Sequence, residues 1–193
     1  SSAYGDSEVM PKVETMVTNP LSPYAVGKLV GEYYCKVFYE VYGLETVSLR
    51  YFNVFGPYQD PTSQYAAAIP AFVTAILKDQ PPTVYGDGEQ SRDFTFVENV
   101  IEANVLGAEA KETHGEVVNI ACGDSVTINQ IIRRVNELVG KNIEPIYAED
   151  RPGDVKHSLA DVTAANNVIG YKPKVYFDDG LQQAINWYTE NVK

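Results

Sequence analysis

The chain has 193 residues, 45% of them hydrophobic and 21% charged, enough apolar material for one good core or for one core with a small lobe. Its 15 basic and 26 acidic side chains leave a net charge of −11, a balance that disfavours nonspecific binding to nucleic acid or to an anionic membrane surface. An anionic ligand would therefore have to be met by arginines placed locally.

In chain order, Ser1-Ser2-Ala3-Tyr4-Gly5 reads as the end of a strand entering a loop, so the chain is expected to begin in mid-fold. Residues 6 to 23 are rich in Pro, Ser, Thr and Asn and read as a surface loop. From Tyr24 to Tyr42 apolar residues recur at helical spacing, with Ser22 or Pro23 at the start and Gly43 closing the run. Thr46 to Phe52 is β-rich and stopped by Asn53 and Gly56-Pro57, which predicts a buried parallel strand. A polar loop over 57–65 leads to a helix over 67–78 and a short strand at Thr83-Val84-Tyr85. Gly86-Asp87-Gly88 reads as a hairpin turn, 94–97 as extended chain and 100–110 as a helix.

Residues 116–123 predict a second core strand, and 125–140 a helix with Thr127 as a plausible cap. A strand over 143–147, a charged loop over 149–158 and helices over 160–169 and 180–192 complete the pattern. Strands alternating with helices predict α/β architecture with parallel strands. Cys35 and Cys122 lie far apart, without CxxC or Cys/His spacing, so two buried reduced thiols and no metal site are expected. No apolar run approaches the ~20 residues of a membrane span, and no basic-then-apolar leader opens the chain.

The chemistry begins in the first helix. Tyr24 and Lys28 are four residues apart, hence adjacent on one helix face. A fixed cation favours the phenolate, and such a tyrosine can take a proton from a hydroxyl as hydride leaves the same carbon. Alone, this spacing also describes a tyrosine on a core edge beside a solvated lysine. Its setting is more specific. Ser1-Ser2-Ala3-Tyr4-Gly5 lies upstream, Ser22-Pro23 precedes Tyr24, and Arg50-Tyr51-Phe52-Asn53-Val54-Phe55-Gly56 follows the next strand.

With these motifs in this order, the sequence resembles the extended short-chain dehydrogenase/reductases, and within them the UDP-hexose 4-epimerases, over the C-terminal three-fifths or so of such an enzyme. The resemblance implies the C-terminal part of a Rossmann-like doubly wound parallel sheet, with a small α/β substrate-binding lobe. Residues 1–60 and 94–123 would belong to the sheet, and 61–93 and 124–193 to the lobe. It also implies NAD as cofactor and a UDP-sugar as substrate.

Tyr24 would be the acid/base, with Lys28 holding the nicotinamide ribose. Ser2 and Ser1 are the candidates to hydrogen-bond the hydroxyl undergoing oxidation; the position four before the motif tyrosine, the catalytic serine in many relatives, would lie before residue 1, which favours Ser2 and Ser1 as substrate-contacting neighbours. Tyr51 and Phe52 would line the nicotinamide and sugar, unless both are core residues at a strand end. Asn53 would bind the diphosphate, unless it only caps a turn. Tyr85 would lie against the base, and Arg92 and Arg151 would meet phosphate through their planar donor forks, with surface ion pairs as the competing reading. Asp154 would lie near the ribose, and Ala67 and Ala68 would give main-chain contacts to the nucleotide.

Ser158 occupies the position that gates substrate in these epimerases, where a small residue leaves room for a 2-acetamido group. It could also simply begin the helix at 160. Dehydratases of the family carry an Asp-Glu pair where this chain has Ser2-Ala3, which favours epimerisation at C4 over elimination.

The glycine-rich strand-turn-helix that receives the NAD pyrophosphate is not found in these residues, so the chain alone is expected to bind NAD poorly and not to turn over substrate. A noncatalytic UDP-sugar-binding module and a purely structural role are the rival readings. The resemblance further implies a homodimer through the helix over 24–42, while the acidic balance and the lack of an apolar span or leader lead to the expectation of a cytoplasmic setting with no nucleic acid and no membrane as partner.

Overall fold

The computed structural model describes residues 1–60, 68–150 and 156–192. Ala67, Arg151 and Asp154 lie outside the described residues. The chain opens with a 3-10 turn, Ser2–Tyr4, where the expectation was a strand end. The Ser1 hydroxyl accepts from the Ala3 N–H at 3.4 Å and closes this turn locally.

Helix α1 spans Pro23–Tyr42. The Ser22 side chain accepts the Ala25 N–H at 3.2 Å, Pro23 fills a first-turn position that needs no N–H, and Gly43 ends the helix at φ 67°. Strand β1, Val47–Tyr51, pairs in parallel with β6, Glu116–Ile120, in the register Val47↔Glu116 to Tyr51↔Ile120. Helix α3, Val97–Glu109, packs on this pair, as does α5, Thr163–Ile169. Ala103, Val118, Ile120, Ala165, Ile169 and Tyr171 form their shared buried cluster.

The second body of the fold is built from three short strand pairs and three helices. β2, Val54–Phe55, pairs in parallel with β5, Thr95–Phe96. β3, Thr83–Tyr85, pairs in parallel with β8, Ile146–Ala148, and β4, Ser91–Arg92, pairs antiparallel with β7, Val126–Thr127. Gly86-Asp87-Gly88 is therefore a turn but not a hairpin. The strands on either side of it find different partners.

Helices α2, Ala68–Leu77, α4, Ile128–Val139, and α6, Phe177–Asn191, enclose the larger core. Thr127 caps α4 in a full capping box with Gln130. Phe55 lies 6.1, 5.5 and 5.7 Å from Phe94, Phe96 and Phe177, and this aromatic cluster is the centre of that core. Gly180 lets α6 approach it closely, since a Cβ there would stand 2.8 Å from the Phe96 ring.

The expected division assigned all of 124–193 to the lobe, whereas α5 packs against β6 and α3 of the sheet. That helix also begins at Thr163 rather than 160, so Ser158 does not start it. Among the described residues, no helix is long and apolar enough to cross a membrane, and no cluster of His, Cys, Asp and Glu suits a metal. Cys122 is buried and Cys35 half-buried, and both are free thiols.

Candidate active site

A cavity of about 320 Å³ opens just past the C-terminal ends of β1 and β6, the end of a parallel sheet where ligands bind in open α/β folds. Ser1, Ser2, Tyr4, Lys12, Ser22, Ala25, Phe52, Asn53, Arg92 and Ser158 line it. Six of the expected site residues are thus brought together: Ser1, Ser2, Phe52, Asn53, Arg92 and Ser158. Two cations line this cavity, and among the described residues no Asp or Glu does. In a chain of net charge −11, that is the local positive setting an anionic ligand requires.

Tyr24 and Lys28 are not among the residues that line it; they lie on the first turns of α1, whose Ser22 cap and Ala25 form part of the wall. Ala25 and Leu29 are buried and pin the helix, while Tyr24 is 66% exposed. The Lys28 ammonium lies over the Tyr24 ring, 5.2 Å from its centroid. The pair is adjacent, as its spacing requires, and both side chains face an open surface.

Other expected contacts are placed elsewhere. Tyr51 turns to the opposite side of β1, where its hydroxyl donates to Asn104 Oδ1 at 2.9 Å and it lines a separate cleft with Cys35 and Leu49. The alternation of a strand explains this: Arg50 and Phe52 point one way, so Tyr51 must point the other. Tyr85 on β3 and Ala68 at the start of α2 are not among the residues that line the cavity.

The floor is assembled from distant segments. Tyr4 is buried, with its ring 6.2 Å from that of Phe52 and its hydroxyl donating to Asn119 Oδ1 at 2.6 Å. Burial raises the Tyr4 phenol above its ordinary pKa. Arg50 lies over the Tyr4 ring, its guanidinium 4.8 Å from the centroid, and makes a two-point bond to Glu32 at 2.8 and 2.6 Å. Burial works against its charge, but the Glu32 hydrogen bonds, helped by Tyr4, hold Arg50 above its ordinary pKa.

Lys12, 2% exposed, donates from its ammonium to the Ser7 carbonyl. Burial lowers its pKa, with Asp6 pulling the other way. No local pattern in a loop of Pro, Ser and Glu announces a buried lysine.

Asn53 is engaged rather than free. Its amide nitrogen donates to the Asp93 carbonyl at 3.0 Å and to Ser158 Oγ at 3.2 Å. Both amide hydrogens are thereby used, so the expected contact with a diphosphate requires one of these bonds to be exchanged. Arg92 is drawn across the same wall by bonds to the Ser91 and Lys156 carbonyls at 2.9 and 3.0 Å.

Asp93 is absent from the expected site and does not line the cavity, yet its carbonyl holds Asn53 on the wall. It is fully buried, and its carboxylate accepts three main-chain N–H groups: Cys122 at 2.9 Å, Gly123 at 3.1 Å and Ala160 at 3.2 Å. Burial pushes its pKa up to about 6 in spite of these donors. The one available signal was an acid set directly before Phe94 in a stretch with strand character.

Comparison with known proteins places this geometry in context. Residues 1–184 match the family described as GDP-mannose 4,6 dehydratase. A putative UDP-glucose 4-epimerase of Methanocaldococcus jannaschii is 37% identical over 188 residues, 97% of this chain and 60% of that relative. A UDP-N-acetylglucosamine 4-epimerase from Methanobrevibacter ruminantium M1, solved in complex with UDP-N-acetylmuramic acid, superposes with a TM-score of 0.94 at 44% identity, covering 100% of this chain and 61% of that one. A UDP-glucose 4-epimerase from Thermotoga maritima, solved with UDP-glucose, gives 0.93 at 36% identity, covering 100% and 62%. Other solved relatives are complexes with NAD. The α/β fold with parallel strands matches these Rossmann-type structures over part of their length, and the chain spans about 60% of the length of the curated relative it matches.

Proposed function

The chain belongs to the extended short-chain dehydrogenase/reductase, or NAD-dependent epimerase/dehydratase, family, and on that premise we propose that it serves the C4 epimerisation of a UDP-hexose or UDP-N-acetylhexosamine through a 4-keto sugar. The observation that carries the choice of reaction is the wall of the cavity. Serines, Tyr4 and Phe52 line it and, among the described residues, no carboxylate does, whereas elimination of water needs an acid beside the sugar.

The donor set fits the nicotinamide end of NAD, because the Lys28 ammonium offers hydrogen-bond donors to ribose hydroxyls on the open face it shares with Tyr24. When bound, NAD supplies the hydride acceptor for the first half of the reaction and returns the hydride in the second. Tyr24 acts as the general base that takes the proton of the sugar 4-hydroxyl while hydride leaves C4. It gives that proton back after the ketone has presented its other face. Ser1 and Ser2 hydrogen-bond the reacting hydroxyl, and Arg92 and Lys12 offset the diphosphate charge.

Ser158 supports acceptance of an N-acetylated sugar, since its side chain leaves space where a tyrosine would intrude and break the bonds to Asn53 and Asp93. In the full-length protein, interconversion of UDP-N-acetylglucosamine and UDP-N-acetylgalactosamine is the expected activity. Ser158→Tyr should reduce that turnover tenfold or more, order-of-magnitude for a pocket clash, while affecting UDP-glucose less. Equal losses on both sugars would remove Ser158 as the gate, and a dehydrated 4-keto product would replace epimerisation by elimination. UDP-sugar binding by calorimetry without turnover would favour a noncatalytic module.

A homodimer through α1 completes the proposal. The helix leaves Val30, Tyr33, Val37 and Val41 exposed along one stripe, 43%, 62%, 47% and 63% respectively, a pattern that marks an unpaired apolar face. Val37→Glu should convert the dimer to a monomer in analytical ultracentrifugation. An unchanged sedimentation coefficient would place the interface elsewhere.

A further inference from the structure

Several main-chain segments meet around Asp93, and together they carry the wall of the cavity. Ser91 and Ser158 are zipped by main-chain bonds, Ser91 N–H to the Lys156 carbonyl and Ser158 N–H to the Ser91 carbonyl, both at 3.0 Å. The Asp93 N–H then donates to Ser158 Oγ at 3.4 Å, and the Asp93 carbonyl accepts from Asn53 at 3.0 Å. The side chain of the same residue extends the pairing, with Oδ2 shared between the Ala160 and Gly123 N–H groups and Oδ1 held by Cys122. No ion pair satisfies this buried acid among the described residues. Its ligands are main-chain amides from two separate segments, the turn after β6 and the strand-like stretch at 158–160.

We propose that Asp93 is the positioning residue of the sugar-nucleotide cavity, its carboxylate clamping the 122–123 turn to the 158–160 stretch so that Asn53, Arg92 and Ser158 keep their spacing on the wall. The inference rests on the reading of this cavity as the UDP-sugar site. Asp93 itself does not line the cavity, so it acts through the residues it holds. A carboxylate is required because two oxygens with several lone pairs must accept three N–H donors. An apolar residue would leave all three orphaned, and an asparagine, with a single acceptor oxygen, would leave one facing its own NH2 group.

The test is Asp93→Asn in the full-length protein, with UDP-sugar affinity, turnover and secondary structure measured together. The expected result is a dissociation constant and KM raised about tenfold or more, as for a displaced buried hydrogen-bond partner, with kcat at saturation nearly retained and an unchanged circular dichroism spectrum. Unchanged affinity in the folded variant would overturn the inference. Wild-type protein that folds and binds no UDP-sugar would instead overturn the reading of the site.

A second measurement needs no variant. UDP-sugar should slow hydrogen exchange at the amides of Cys122, Gly123 and Ala160, although the cavity wall contains none of them. Exchange at these amides that ignores the ligand would show that Asp93 serves the fold alone.

Discussion

Tyr24→Phe in the full-length protein is expected to lower epimerase turnover by about 10²- to 10⁴-fold, the usual worth of a positioned general base, and to leave the affinity for UDP unchanged. The substitution removes one oxygen from an exposed side chain on the first turn of α1. It disturbs neither the Ser22 cap nor the buried Ala25 and Leu29, so the helix and its stability should persist. The Arg92 side of the cavity is built from β4 and the 156–158 stretch, so the nucleotide binding proposed there should not depend on the phenol. A parallel rise in the UDP dissociation constant would show that Tyr24 supports binding rather than proton transfer. Turnover within threefold of wild type would remove it from the chemistry.

Glu32→Ala should be the most damaging single change to stability, costing about 3–5 kcal/mol, because it leaves a buried guanidinium without its anion. The Arg50 and Glu32 side chains are 6% and 14% exposed, and Arg50 NH1 already lacks a partner. Without Glu32, the face of the Tyr4 ring is the main compensation left to the charge. The loss is large against total stabilities of roughly 5–15 kcal/mol, and it also loosens the floor on which Tyr4 and Phe52 sit. Chemical denaturation provides the measurement. Glu40→Ala is the internal control, since its pair with Lys36 is 58% and 61% exposed and should be worth about 0.5 kcal/mol or less. Equal costs for the two variants would contradict the account of Arg50 as a buried charge.

Much of the secondary structure was legible because its signals are local. The 3.6-residue repeat of α1, the serine cap, the closing glycine and the Thr127 capping box all act within four residues of one another. The short strands β2, β4 and β7 were not legible, since two residues carry no periodicity and exist only through their partners. The start of the chain differs for a local reason: the Ser1 hydroxyl turns Ser2–Tyr4 into a 3-10 turn, although its composition suits a strand.

The site divides along the same line. Tyr24 and Lys28 are adjacent because any helix makes them so, and the serine, asparagine and arginine motifs named the residues that line one cavity. Which way Tyr51 faces depended on the phase of β1, which the packing of Arg50 against Glu32 and Tyr4 decides. Nothing local in the sequence singled out Lys12 or Asp93. The Asp93 carboxylate finds its donors 29, 30 and 67 residues away, and no local propensity encodes such a meeting.

The sequence by itself determined the family and the helix that presents Tyr24 beside Lys28. Tertiary structure alone decided how those groups are spaced. Periodicity and capping reach only a turn or two along the chain, whereas the shape of the cavity is set by strand register and by buried polar groups that must find partners wherever the fold supplies them.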